Sequence, residues 1–323
     1  MNSDFSMTRR GLFRLVLPSV LFGTLLRNAT LQASPDVSRI ANRIPSGPRV
    51  VHTRRYRAQA SVSLFSIPLL WRDDVGAACV SVEEVASGTR RMTAIQFSGG
   101  SWPERVRGLN RFGMTQEIID EEAGAVVESA YMCFMTSSPE KNADQAWRAF
   151  ADRSRGMILA VARGVSTPTR YRSVLEHVPA PEGSTWMDCT QLIDILQGKA
   201  SGSMDSESLR NDEGACPTFL YAVRRALTSG QSRTEYRFMH NAKLYDLRTK
   251  QSSANNTTVL TGHISEYGSR SESSFRLWFD PADPTGLPSK IEFQPRSFLR
   301  LTFEHDPAAA GPTLPNLIPT VNS

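Results

Sequence analysis

Motifs for catalysis are the first thing this sequence lacks. No Gly-x-Ser-x-Gly occurs: Gly164-Val165-Ser166-Thr167-Pro168 and Gly100-Ser101-Trp102 both miss the second glycine of a nucleophile elbow. The five histidines, at 52, 177, 240, 263 and 305, are scattered. They form no His-Glu-x-x-His and no pair at i+4, which argues against a zinc site. No phosphate-binding glycine loop or dinucleotide fingerprint is present, so neither cofactor nor metal is expected. Glu83-Glu84 and Glu121-Glu122 are adjacent, hence on opposite strand faces or in a turn, so no paired acid/base site follows from them. The four cysteines, Cys79, Cys133, Cys189 and Cys216, are widely spaced, with no Cys-x-x-Cys. A chain of this length needs no disulfide staple, although Cys189 and Cys216 would tie down the polar stretch between them if oxidised. Cys133, in Tyr131-Met132-Cys133-Phe134-Met135, reads as a buried thiol.

Strong charge of either sign is also missing. The formal net charge is +5, and the first 33 residues hold Arg9, Arg10, Arg14 and Arg27 against Asp4 alone, so the remainder carries only +2. Arg54-Arg55, Arg90-Arg91 and Arg224-Arg225 lie far apart, and nothing argues for nucleic acid as a partner. No apolar run reaches the roughly 20 residues that cross a bilayer. Leu15 to Leu26 is shorter and contains Pro18, and it follows the basic Thr8-Arg9-Arg10-Gly11-Leu12-Phe13-Arg14. That is the shape of a secretory signal peptide over residues 1–33, and the paired arginines resemble a twin-arginine signal. Export, to the periplasm or beyond, is the expectation. If the leader stays uncleaved (Leu31 is a poor −3 residue), it is the one contact with a membrane.

What the chain has in abundance is period-two apolar patterning. After a Pro/Gly-rich linker at 34–47, Tyr56, Ala58, Ala60, Val62 and Leu64 alternate with Arg55, Arg57, Gln59, Ser61 and Ser63. One face is buried and the other wet, as in an antiparallel sheet. Val75–Val85, Met92–Phe97, Met114–Ile119 and Ala125–Met135 continue as strands without helices between them, which argues for an antiparallel sheet rather than βαβ units. A helix is expected from Ser138, with Ala143, Ala146, Trp147 and Phe150 on one stripe. A second starts at Pro217 and buries Phe219, Leu220, Val223 and Leu227. Met157–Ala162 is strand or buried helix, Tyr171–His177 a strand, and Gly198–Gly214 a mobile polar loop. A hairpin around His240-Asn241-Ala242 and a strand over Thr257–Ser265 follow. The expected fold is mainly β: one strongly curved antiparallel sheet or incomplete barrel over 48–306, crossed by two or three helices, with a disordered tail at 307–323.

The C-terminal meander carries a resemblance. Ser274 to Phe279 alternates, Asp280-Pro281-Ala282-Asp283-Pro284-Thr285-Gly286 breaks it, and strands at Pro288–Phe293 and Phe298–Glu304 follow. Trp278-Phe279-Asp280 with Leu287-Pro288-Ser289-Lys290-Ile291, after a helix carrying Tyr221-Ala222-Val223-Arg224, resembles the exported bacterial domain-of-unknown-function 3108 family. The resemblance spans roughly Pro217 to Glu304. It implies a curved antiparallel sheet, similar to the outer-membrane lipoprotein carriers, without established chemistry.

The most suggestive loop is Gly99-Gly100-Ser101-Trp102-Pro103-Glu104-Arg105-Val106-Arg107-Gly108-Leu109-Asn110-Arg111-Phe112-Gly113. Arginine forks suit phosphate or carboxylate, and an aromatic suits a lipid-like boundary. Trp102, Arg105, Arg107 and Arg111 are the candidate rim for the anionic head of an amphiphile whose tail enters the sheet's concavity, and Trp278 is a further candidate contact. This makes a non-enzymatic binder of a hydrophobic ligand the leading expectation. An envelope protein docking on a protein partner through a sheet edge or the Arg-rich loop is the alternative, and a hydrolase pairing Ser101 with a distant histidine is the third.

Overall fold

The computed structural model describes residues 47–64, 67–87, 89–102, 104–106, 110–136, 157–162, 171–178, 205–207, 215–216, 218–240, 243–269, 271–311 and 317–318. They form one open sheet of fifteen strands. In chain order these are β1 (Arg49–Leu64), β2 (Ile67–Ser87), β3 (Arg90–Ser101), β4 (Asn110–Asp120), β5 (Ala125–Thr136), β6 (Met157–Ala162), β7 (Tyr171–Val178), β8 (Asp205–Glu207), β9 (Ala215–Cys216), β10 (Arg233–His240), β11 (Lys243–Ala254), β12 (Thr257–Glu266), β13 (Glu272–Phe279), β14 (Lys290–Arg296) and β15 (Leu299–His305). The spatial order is 8-7-6-5-4-3-2-1-15-14-13-12-11-10-9. Two consecutive meanders are thus joined where β1 pairs with β15, Ala58 opposite Phe303 and Val62 opposite Leu299. Every pairing is antiparallel except β9 with β10.

One helix is present among the described residues, α1 (Phe219–Thr228). The helix expected from Ser138 lies outside them. Met157–Ala162 is a strand, and Asp205–Glu207, inside the stretch expected as a loop, pairs with β7.

The sheet curls until its two halves meet across α1. Ile119 and Val126 from one half share a core with Phe238, Tyr245, Leu247, Leu260, Ile264, Phe275 and Phe293 from the other, and Tyr221, Ala222, Val223 and Ala226 of α1 lie between them. Phe219 packs edge-on to Phe275 at 5.7 Å between ring centres and tilted on Phe238 at 5.4 Å. Burying these side chains is the dominant favourable term in such a core, about 1.5–3 kcal/mol for each large one.

Two expectations are corrected. The loop expected over Gly99–Gly113 is strand at both ends: β3 runs through Ser101 and β4 begins at Asn110, and Gly99 and Gly100 pair with Ala78 and Ala77. These glycines add no hydrophobic signal, yet their main chain continues the ladder. The segment after 306 is not wholly disordered, because Leu317 and Ile318 are buried against Val85, Met92, Ala94, Ile118 and Val127. Cys79 and Cys216 are buried free thiols, and Cys133 and Cys189, whose side chains lie outside the described residues, are not placed; burial pushes the Cys216 thiol up to about 11.

Candidate functional site

The inner face of the curl encloses a cavity of about 340 Å³. Small residues on β1 create it. Ala58 and Ala60 face inward where larger aliphatics would fill the space, and Gly76, Gly99 and Gly100 line the neighbouring strands. At Gly76 the approach is tight: a Cβ there would sit 2.0 Å from the Gly100 carbonyl oxygen. Just before it, β2 is bulged. Ala58 pairs with Gly76 but Ala60 with Arg72, so three residues of β2 stand opposite Gln59 alone. Asp74 takes positive φ (52°) there, a conformation aspartate tolerates better than most side chains.

The rest of the wall is almost entirely apolar: Val62, Leu70, Val80, Ile95, Phe97 and Leu301 are typical. Among the described residues two charged side chains line it, Arg72 and Arg224, and no aspartate, glutamate or histidine does. The arginines stand at opposite ends. Arg72 lies toward the Leu64 end of β1, where its Nη1 donates to the Arg105 carbonyl at 2.9 Å. Arg224, on α1, reaches the Arg49 end. There its Nε is 2.8 Å from Glu121 and its Nη2 3.7 Å from Glu84.

The floor is the turn that follows β13. Gly286, Leu287 and Pro288 line the cavity, and Arg54 holds the turn from below by an ion pair with Asp283 and a 2.8 Å hydrogen bond to the Leu287 carbonyl. The buried Tyr56 hydroxyl donates to the Pro288 carbonyl at 2.6 Å. The Asp/Pro-rich turn between the last strands is therefore a closing element rather than a solvated connection.

The remaining wall is α1, through Phe219, Leu220, Val223, Arg224 and Leu227. Its N-terminus is held by a carboxylate from a distant strand. Thr218 Oγ1 and the Tyr221 N–H donate to Glu117 Oε2 at 2.5 and 2.9 Å, and the Leu220 N–H donates to Oε1 at 3.0 Å. Thr218 occupies the N-cap position, yet its hydroxyl is turned to Glu117 and caps nothing itself, and the first turn has no acidic residue of its own. Glu117 supplies the acceptors that the first N–H groups of the helix lack within their own turn. Burial pushes its carboxyl up to about 7, against the three hydrogen bonds, which pull it down. The Tyr221 hydroxyl, donating to the Gly124 carbonyl at 2.6 Å, is a second tether to the same half of the sheet.

Of the residues singled out from the sequence, Trp102 and Arg105 lie in the turn next to Ser101 and Val106, which do line the cavity. The Trp102 carbonyl accepts the N–H groups of Arg105 and Val106, and Arg105 is half-exposed and ion-paired with Asp74. Arg111 falls on β4 opposite Met135, its side chain outside the described residues, as is all of Arg107. Trp278 is corrected. It alternates with the inward Leu277 and Phe279, so it faces away from the cavity, with the Lys290 ammonium 5.4 Å from its ring centre. Arg72, Arg224 and Glu117 were missed. The small-residue spacing of Ala58 and Ala60 was the available signal for a hollow.

Among the described residues no cluster of His, Cys, Asp and Glu side chains is placed to hold a metal ion, and no helix is long and apolar enough to cross a membrane. His263 lies 3.5 Å from Glu272 and His305 Nδ1 lies 3.1 Å from the Arg55 carbonyl, and neither lines the cavity with Ser101. No family model and no curated protein matches the chain. Among solved structures it is similar to a beta-barrel-like protein of the domain of unknown function DUF1849 from Brucella abortus, at 7% identity and a TM-score of 0.38, covering 79% of this chain and 95% of that one.

Proposed function

We propose that this chain is a non-enzymatic, exported binding protein that holds an acyl chain or similar hydrophobic ligand in the concavity of its sheet. The observation that carries the reading is the cavity: about 340 Å³, apolar on nearly every side, with arginines as its charged lining residues. That volume falls within the roughly 300–1,000 Å³ of ligand pockets. An aliphatic tail would lie between α1 and β1–β3, and an anionic head at the Leu64 end would meet Arg72. The resemblance of Trp278 to Ile291 to the domain-of-unknown-function 3108 family, and the basic leader, favour the envelope as the place of action. The docking alternative is less well supported: among the described residues the exposed large apolar ones are Val50, Val51, Trp71 and Tyr267, and neighbours such as Val50 and Val51 point to opposite faces of their strand. Val50 and Trp71 pair with opposite ends of the β1–β2 ladder, so these two do not share a patch.

The test is titration of delipidated protein with saturated fatty acids that displace a fluorescent analogue. Affinity is expected to rise about fourfold per added methylene, the transfer free energy of about 0.8 kcal/mol, until the cavity is full. Ala60→Trp, which fills the space from β1, is expected to weaken binding at least about tenfold. Arg72→Ala is expected to weaken fatty acids more than the matching alcohols. Affinity independent of chain length and untouched by Ala60→Trp would defeat the proposal, and mass spectrometry of lipids on protein purified from the envelope identifies the natural occupant.

A further inference from the structure

We infer that Glu83 and Arg49 form a peptide-binding notch on the outer face of the sheet, and that the chain's own Leu317-Ile318 occupies it as an intramolecular latch. Glu83 alternates with Val82, which lines the cavity, so it points the other way. It is 1% exposed. A carboxylate buried that deeply must be compensated. Arg49 ion-pairs with it, and two consecutive main-chain N–H groups, those of Leu317 and Ile318, donate to its Oε2 at 2.5 and 3.2 Å. Arg49 Nη1 also donates to the Ile318 carbonyl at 2.8 Å, so one ion pair reads both sides of the same peptide segment. The side chains are read as well: Leu317 (5% exposed) and Ile318 (0%) pack on Val85, Met92, Ala94, Ile118 and Val127.

The notch therefore selects a class of ligand: a peptide segment presenting two successive N–H groups and two aliphatic side chains. Leu314-Pro315-Asn316-Leu317-Ile318-Pro319 meets this requirement with little freedom of register, because proline has no N–H to donate. Recognition through main-chain amides and a buried charge makes this segment a specific contact rather than a loosely adsorbed end.

The experiment uses the full chain. Leu317→Asp/Ile318→Asp places charges where the notch is apolar, which empties it while leaving Glu83 and Arg49 in place. A fluorescein-labelled peptide of residues 312–323 is expected to bind this variant saturably and the wild-type chain not at all. Adding Glu83→Gln is expected to weaken the peptide about tenfold or more, the value of hydrogen bonds to a charged acceptor. No binding to a variant that elutes as a folded monomer overturns the inference. So does a wild-type dimer with tails exchanged between copies, which would assign the notch to a second molecule. Should the variant not fold, hydrogen exchange on the wild-type chain decides. Amides 317 and 318 protected about 100-fold support the latch, and exchange at the rate of open chain overturns it.

Discussion

Replacing Glu117 by alanine is expected to destabilise the protein by about 3 kcal/mol at pH 5, because Thr218 Oγ1 and the N–H groups of Leu220 and Tyr221 lose their shared acceptor while still buried. For a domain of this size the loss lowers the midpoint of thermal unfolding by roughly 6–12 °C. The damage is local in origin but not in extent. α1 is a wall of the cavity and the element where the two halves of the sheet meet, so a frayed first turn loosens Phe219 from Phe275 and Phe238. Ligand affinity should fall with stability in this variant, whereas Ala60→Trp should reduce affinity with the fold intact.

The pH dependence of that effect has a definite sign. Burial raises the Glu117 carboxyl from 4.5 to about 7 in the folded chain, so the folded state binds the proton more tightly than the unfolded state. Its contribution is complete below pH 4.5 and is lost as pH rises through 7, by up to about 3 kcal/mol. The alanine penalty is therefore largest in acid and shrinks toward pH 8, the reverse of what an exposed ion pair gives. Glu117→Gln keeps an acceptor and cannot titrate, so its stability profile should be flat where the wild type declines. Asp283 and Asp306, held below the usual carboxylate range, act at lower pH with the opposite sign and are common to both proteins. Urea unfolding of the pair between pH 5 and 8 measures the difference. Parallel profiles would mean that Glu117 stays ionised throughout.

The strand content was legible because one buried face imposes period two on the sequence, and Tyr56 to Leu64 or Phe275 to Phe279 can hardly be read otherwise. The ladder through Gly99 and Gly100 was not legible, since a glycine pairs through its main chain and leaves no pattern. Nor was the cap on α1. An acidic residue is expected within the helix's own first turn, and here it comes from β4, about a hundred positions upstream, where Glu117 interrupts the inward-facing series Thr115, Glu117, Ile119. The same limit hid Glu83 and the tail that satisfies it. Pairings between a buried polar group and a distant main chain leave no local periodicity. The cavity lay between these cases: Ala58 and Ala60 mark a strand face too small to fill its own layer, but only the curvature turns that deficit into enclosed space.

Gly262→Ala is expected to destabilise by about 2 kcal/mol, the scale of overpacking in a well-filled core. Gly262 stands directly opposite Phe275, and the added Cβ would lie 2.2 Å from two atoms of its ring. The ring cannot simply swing aside. It is buried, meets Phe219 edge-on at 5.7 Å, and borders the cavity. It must press on α1 or enter the space proposed for ligand, so affinity should fall together with stability. The cause is separable from any backbone effect, because Gly262 does not adopt the positive φ that would exclude alanine. Phe275→Ala alone is expected to cost about 3–5 kcal/mol. In that background Gly262→Ala should cost nothing, or gain the few tenths to about 1 kcal/mol by which alanine exceeds glycine in a strand. The double-mutant cycle should thus return a coupling of about 2 kcal/mol or more, and additive losses would place the role of Gly262 in its backbone instead of in the ring that lies over it.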